Sequence, residues 1–113
     1  MFNRTVDRLI ESRTKAVVET AYSIINSYYV EFKDGKLGEE SAKKQAVEML
    51  RNIRYMEKEY FGVNDYEAKM IMHPISTKLE GQNLSDYKDP DGVKIFSEMV
   101  KVVKESGEGF VHY

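Results

Sequence analysis

Apolar residues recur every three or four positions through the first quarter of the chain, which is the spacing of an amphipathic α-helix. They are Val6, Leu9, Ile10, Ala16, Val17, Ala21, Ile24, Ile25 and Tyr28. Charged residues such as Arg8 and Glu19 lie elsewhere around the helical wheel. The pattern predicts an unusually long helix over about residues 3–32, followed by a turn signal at residues 33–35.

A second apolar pattern with helical spacing follows this turn. Its members are Ala42, Ala46, Val47, Leu50 and Ile53. They predict a second helix with one buried face, and this helix is expected to carry the chain to Arg54.

The spacing changes at residue 60, where aromatic and β-branched residues indicate strands. Residues 60–63 (YFGV) and 69–72 (KMIM) predict an antiparallel hairpin, with a tight connection at residues 65–67. We expect Pro74 to end this hairpin, because proline has no N–H to donate to a neighbouring strand and favours an extended residue before it.

The end of the chain predicts one more helix and one more strand. Asp89 and Pro90 predict the start of the helix, because aspartate caps free N–H groups and proline fits the first helical turn. The predicted buried stripe of this helix contains Val93, Phe96, Met99, Val100 and Val103. The helix is expected to end near residues 106–107, and residues 109–113 predict a strand. The order of elements is that of an α+β fold with a long N-terminal helix.

The composition is that of one globular domain and excludes several classes of function. The 113 residues are 42% apolar and 32% charged, and the 17 basic residues are spread along the chain, which gives nucleic-acid binding no support. The absence of cysteine excludes disulfides, thiolate zinc sites and covalently attached c-type haem. No nucleotide-binding, nucleophile or zinc-protease motif is present, so we expect no catalytic residues, no cofactor and no metal. No apolar run approaches the ~20 residues of a membrane-spanning helix.

Four segments follow one another in an order that resembles a known family. They are IRYMEKEYFGVND (residues 53–65), MIMHP (70–74), LEGQNLSDYKDPDG (79–92) and GEGFVHY (107–113). Together they resemble the single Cache domain of type 2, the extracytoplasmic sensor domain of bacterial methyl-accepting chemotaxis receptors and sensor histidine kinases. The resemblance implies one domain over residues 1–113, in which a long helix (1–32) packs on a PAS-like antiparallel sheet in the body (33–113). Family members continue past the position of Tyr113, so the resemblance also implies a body truncated at its C-terminus and an open sheet edge.

The same resemblance implies a sensor rather than an enzyme. Its expected ligand is a small organic acid of the acetate, propionate, pyruvate or lactate class, bound outside the cytoplasm by a receptor whose membrane anchors this chain lacks. The length of the first helix predicts a homodimer through its membrane-proximal half, which includes Leu9 and Ile10. The alternative is a structural or dimerisation module that binds no ligand. The sequence does not distinguish a chemotaxis, kinase or cyclase output.

Arg54 and Tyr55 are the first candidate binding residues, at the point where the second helix approaches the first strand. An arginine binds a carboxylate through two parallel N–H···O bonds. The alternative is a surface arginine favoured by the dipole at a helix C-terminus.

Tyr60 and Gly62 are candidates on the first strand. Tyrosine offers an apolar wall with a hydroxyl donor, and a glycine at this position of the motif leaves room beside Tyr60 and Asn64. The alternative for Tyr60 is an ordinary core aromatic residue.

His73 and Pro74 are candidates at the end of the hairpin. His73 can donate to a ligand carboxylate, and the alternative is a histidine satisfied within the fold. Asp86, Asp89 and Asp91 have a superficial similarity to a calcium loop, but the spacing of the acidic residues does not fit one, so we interpret them as a helix cap and turn.

Overall fold

The computed structural model describes the backbone of residues 4–111 and the side chains of residues 11–111. The chain divides into two compact units, Met1–Glu59 and Tyr60–Tyr113. Helices dominate the first unit, whereas short strands and one helix make up the second.

The first unit contains the long predicted helix, α1 (Arg4–Lys33), and a second helix, α2 (Glu39–Arg51). The two helices pack against each other, with Ala21 of α1 and the small residues Ala42 and Ala46 of α2 buried. Small side chains allow the helix backbones to approach closely. The positive φ of Gly35 (76°) completes the turn between them, as the sequence predicted.

The second helix ends three residues earlier than predicted. Asn52 is its C-terminal cap, and the backbone N–H of Ile53 donates to the carbonyl of Leu50 in a tight last turn. Nη1 of Arg54 then donates to the carbonyl oxygens of Arg51 (2.9 Å) and Ile53 (3.1 Å). The arginine therefore satisfies the carbonyl group of the last helical residue, Arg51, and that of Ile53 in the segment that follows the helix.

A short hairpin that the sequence did not predict follows α2. Its strands are β1 (Arg54–Tyr55) and β2 (Glu59–Tyr60), which form a two-stranded sheet. Met56 and Glu57 in the turn have φ of 46° and 74°, values that glycine or asparagine adopts more readily. The usual residue signals of a tight turn are absent, which is why the pattern did not predict this hairpin.

The predicted antiparallel hairpin is present in the second unit, although its first strand is displaced along the chain. β3 (Val63–Asn64) pairs with β4 (Met70–Met72), with Val63 opposite Met72 and an irregularity before Asn64. In β4, Met70 and Met72 are buried while Ile71 is exposed, as the alternation of a strand requires. The strand ends at His73-Pro74 as predicted and leads to a 3₁₀ turn (Thr77–Leu79).

The last helix, α3 (Ile95–Ser106), begins five residues after the predicted start at Pro90. Oδ1 of Asp89 accepts the backbone N–H groups of Asp91 (3.0 Å) and Val93 (2.7 Å), and its own N–H donates to the carbonyl of Val93. Asp89 therefore closes a loop instead of capping a helix. The predicted end is correct, because Gly107 adopts a positive φ of 79° directly after Ser106.

The predicted buried stripe of α3 is buried only in part. Ile95, which the stripe did not include, is buried, while Phe96, Met99 and Val100 are half-buried and Val103 is exposed. Residues 109–111 form no strand, and residues 112–113 of the predicted strand lie outside the described part of the chain. Within residues 4–111, no helix has both the length and the apolar character needed to cross a membrane.

Candidate functional site

Tyr60 and His73, two of the predicted binding residues, meet in the second unit. Their ring centroids are 5.1 Å apart with an interplanar angle of 57°, and the Tyr60 hydroxyl oxygen lies 3.4 Å from Nε2 of His73. β2 supplies the tyrosine, and the end of β4 supplies the histidine. The side chain of Tyr60 is 36% exposed, so the pair is accessible to a small molecule.

The other ring nitrogen of His73 binds the turn that follows it. Nδ1 accepts the backbone N–H of Ser76 (2.8 Å) and, more weakly, that of Ile75 (3.3 Å). Pro74 follows His73 directly and has no N–H of its own. Because both donors are backbone N–H groups, Nδ1 accepts and carries no hydrogen. The ring hydrogen of the neutral imidazole is therefore on Nε2, the nitrogen that faces Tyr60.

The surroundings of His73 favour this neutral form. Burial lowers the pKa of His73 below its usual value, and the negative charge of Glu80 opposes that shift without cancelling it. The backbone N–H of His73 also lies 3.4 Å from Oε2 of Glu80. At neutral pH the site consequently presents an uncharged N–H donor beside a hydroxyl group.

Gly62 lies between β2 and β3 in open surroundings. A methyl group at this position would have one neighbouring atom within 4 Å, the backbone oxygen of Met72 at 3.8 Å. No close contact at this position requires a glycine, and the role of Gly62 in ligand binding stays a prediction.

Arg54 and Tyr55 lie in β1, in the first unit. The side chain of Arg54 is exposed, and its Nη1 donates to the carbonyl oxygen of Arg51, the last residue of α2, and to that of Ile53. These two hydrogen bonds use Nη1, and a guanidinium group has further donors on Nε and Nη2. The role of both residues in ligand binding stays a prediction.

Three partners of His73 were not predicted from the sequence. They are Glu80 and the backbone N–H groups of Ile75 and Ser76. A backbone donor leaves no trace in residue type, and Glu80 lies seven positions from His73 with no spacing signal. Only the HP element itself, a histidine before a proline, indicated that the strand would end here.

Each unit also has a cavity that contains none of the predicted site residues. In the first unit a cavity of about 230 Å³ is lined by Tyr28, Tyr29 and Phe32 of α1 and by Ala42 and Ala46 of α2. In the second, a more open cavity of about 590 Å³ lies beside α3 and is lined by residues that include Lys88, Lys94, Val102 and Phe110. Among residues 4–111, no cluster of three or more histidine and acidic side chains is arranged to hold a metal ion.

The model of the Cache domain family (dCache_2) matches residues 2–113. Two relatives are much longer proteins than this chain. The chain is 41% identical over 101 residues to the methyl-accepting chemotaxis protein McpP of Pseudomonas putida, and 36% identical over 69 residues to the sensor histidine kinase MctS of Rhizobium johnstonii. These alignments cover 89% and 61% of this chain but only 19% and 15% of the relatives.

Two solved structures have the same fold as this chain. One is the periplasmic sensor domain of a chemotaxis protein, with a TM-score of 0.91 and 38% identity, and the match covers 99% of this chain and 76% of that one. The other is a Cache chemosensory domain studied for carboxylic acid recognition, with a TM-score of 0.87 and 39% identity over 95% of this chain and 73% of that one. The matches confirm the predicted fold class, which combines a long N-terminal helix with small antiparallel sheets.

Proposed function

This chain belongs to the Cache domain family, as its ordered motifs predicted, and from that premise we propose that it binds a short carboxylate for a transmembrane receptor. The receptor would be a bacterial chemoreceptor or sensor kinase, and residues 1–113 would form its extracytoplasmic sensor domain. A ligand that prefers one of two arrangements of the domain would change their populations and so transmit the signal. No chemical transformation is required.

The observation that carries the proposal is the Tyr60–His73 pair. Nε2–H of His73 and the hydroxyl group of Tyr60 lie 3.4 Å apart and are both hydrogen-bond donors. A carboxylate has two oxygen acceptors, so it can receive one hydrogen bond from each residue. The long contact between the two side chains is weak, which makes it easy for a ligand to replace.

The remaining predicted residues have supporting roles in this proposal. Arg54 keeps the predicted role of binding a carboxylate, through donors other than the Nη1 that binds the carbonyl groups of Arg51 and Ile53. Gly62 would leave room beside the strand, and Pro74 would hold the turn that orients His73. Tyr55 keeps the ligand-binding role predicted for it. The ligand class agrees with the carboxylic acid recognition named for the second structural neighbour.

A second candidate function is that of a structural or dimerisation module. One observation favours it. α1 has an exposed apolar stripe made of Val18 (50% exposed), Tyr22 (68%), Ile25 (39%) and Tyr29 (52%). The steps of four, three and four residues place these side chains along one face, as in the seam of a coiled coil. We propose that this face forms a homodimer, with or without a ligand.

A ligand panel tests the sensor function against the alternative. Thermal unfolding of the chain is measured with acetate, propionate, pyruvate and lactate, and with ethylamine and acetamide as charged and neutral controls. At a hundred times Kd, binding to the folded state adds about 2.7 kcal/mol and raises Tm by several degrees. A panel in which no acid changes Tm would favour the dimerisation module.

A further inference from the structure

The hydrogen bonds of His73 determine which form of the ring a ligand meets. Nδ1 lies 2.8 Å from the backbone nitrogen of Ser76 and 3.3 Å from that of Ile75, and both are donors. A proton on Nδ1 would point at these two N–H groups, so the turn of residues 73–76 would have to open. Protonation therefore costs two hydrogen bonds as well as the burial of a charge.

Two titratable groups face His73 from neighbouring elements within the described part of the chain. Tyr60 lies beside Nε2 from β2, and Glu80 lies beside the backbone N–H of His73 from the segment after the 3₁₀ turn. The carboxylate of Glu80 is the only one of the two that favours a charged imidazole, and it does not outweigh the effect of burial.

We propose, on the premise of the sensor function above, that the backbone N–H groups of Ile75 and Ser76 hold His73 as its neutral Nε2–H tautomer. The ligand carboxylate then accepts a hydrogen bond from Nε2–H in place of the Tyr60 oxygen, and binding takes up no proton. His73 selects for a hydrogen-bond acceptor, while the charge of the anion must be balanced by another residue. This makes His73 a determinant of specificity that works across the neutral pH range.

Two substitutions of His73 separate the functions of its two nitrogen atoms. His73→Asn places an amide oxygen near the position of Nδ1, so the turn keeps its acceptor but the site loses Nε2–H. His73→Gln places an amide nitrogen near the position of Nε2, so a donor remains but the turn loses its acceptor.

We expect His73→Asn to keep the Tm of the parent chain and to lose affinity by on the order of tenfold to a hundredfold. We expect His73→Gln to melt at a lower temperature and to bind more tightly than His73→Asn. The reverse order in both measurements would overturn the proposal.

Proton uptake gives a direct test with the acid that the panel finds to bind. Its affinity is measured by calorimetry between about pH 6.5 and 8, where a carboxylic acid is fully ionised. If binding required a charged imidazole, affinity would fall by about tenfold per pH unit above the pKa of His73. We expect a change of less than about twofold, and equal binding enthalpies in phosphate and Tris buffers. An enthalpy that depends on the buffer, abolished in His73→Asn, would overturn the proposal and leave the sensor function intact.

The tautomer is also observable without any ligand. Nitrogen NMR of the imidazole rings distinguishes a protonated from an unprotonated ring nitrogen, and His112→Gln leaves His73 as the only histidine in the chain. We expect a protonated Nε2 and an unprotonated Nδ1 at neutral pH. A signal averaged between tautomers, or a proton on Nδ1, would refute the proposed restraint even if the acid binds. A restrained tautomer in a chain that binds none of the four acids would refute its ligand-binding part and the sensor function together.

Discussion

The hydroxyl oxygen of Tyr60 lies 3.4 Å from Nε2 of His73, although the two residues are thirteen positions apart in the chain. The contact joins the end of β2 to the residue that follows β4, and Tyr60 is 36% exposed. In the proposed function, these two donors bind the two oxygen atoms of one carboxylate.

Tyr60→Phe tests the hydroxyl group alone, because the substitution keeps the ring. We expect affinity for the carboxylate to fall by about tenfold, since a hydrogen bond to a charged group contributes about 1.5–3 kcal/mol. Stability should change little, because the hydroxyl oxygen makes only a long contact. Tyr66→Phe is the matched control, since Tyr66 is 64% exposed in the same unit. Calorimetry on both variants checks the prediction. Equal affinities of Tyr60→Phe and Tyr66→Phe for the carboxylate would show that the hydroxyl group of Tyr60 does not bind the ligand.

Arg54→Ala tests the source of positive charge. We expect affinity for an anionic ligand to fall by on the order of 2–3 kcal/mol, because a charge-assisted contact is lost. The loss of the bonds from Nη1 to the carbonyl groups of Arg51 and Ile53 should lower the free energy of unfolding by about 1 kcal/mol, since water can replace an exposed donor. Lys58→Ala removes an exposed cation from the adjacent turn and should leave affinity unchanged. If Arg54→Ala retains its affinity for the ligand, another residue balances the charge of the anion.

The pH dependence of stability follows from the lowered pKa of His73. The unfolded chain, in which histidine titrates near 6.5, binds a proton more readily than the folded chain does. The stability due to the neutral ring is therefore complete above about pH 6.5 and decreases as the pH falls from there to the lower pKa of the folded state. Urea unfolding at several pH values, compared with His73→Asn, isolates this effect from the other titrating groups. If the free energy of unfolding changes with pH in the same way in the parent chain and in His73→Asn, the prediction is wrong.

The C-terminus of α3 offers a test of stability away from the site. Gly107 has a φ of 79° directly after Ser106, a conformation that is strained for residues with a Cβ. We expect Gly107→Ala to lower the free energy of unfolding by about 1 kcal/mol. Gly107→Asn should cost less, because asparagine tolerates this conformation better than alanine does. Denaturant unfolding of both variants measures the difference, and equal costs would exclude backbone strain as the cause.

Long-range periodicity was the part of the fold that the sequence predicted best. α1 was predicted to within one residue at each end because thirty residues repeat one amphipathic pattern. Asp89 misled the prediction because an aspartate before a proline suits a loop as well as a helix cap, and the bond from its N–H to Val93 selects the loop. The hairpin at Met56 and Glu57 was missed because its backbone conformation is imposed by the fold and not by glycine.

The role of the candidate residues in ligand binding stays a prediction, and their geometry was not predictable from the sequence. Tyr60 and His73 were both named as candidates, and the structure brings them together. The acceptor role of Nδ1 depends on the backbone N–H groups of Ile75 and Ser76, which any residue type except proline supplies. For that reason no sequence pattern indicated which ring nitrogen carries the hydrogen.

The exposed stripe on α1 predicts an association that single substitutions can disrupt. The sequence placed the homodimer contact in the membrane-proximal half of the helix, at Leu9 and Ile10, whose side chains lie outside the described part of the structure. The stripe that the structure describes lies further along the helix and runs for about 16 Å between Val18 and Tyr29, at 1.5 Å per residue. Aromatic and branched side chains of this size bury well against a second copy of the same face.

Tyr22→Glu should therefore weaken the homodimer without unfolding the chain. Tyr22 is 68% exposed, so it makes little contact within its own chain, whereas a glutamate in the middle of a symmetric contact places two like charges close together. Ser23→Glu is the matched control, because Ser23 is exposed on another face of the helix and adds the same charge outside the stripe. Sedimentation at high micromolar concentration should show a smaller dimer fraction for Tyr22→Glu than for Ser23→Glu, with equal melting temperatures. Equal dimer fractions for the two variants would show that the homodimer contact does not involve the stripe on α1. An entirely monomeric parent chain would show that α1 does not associate by itself.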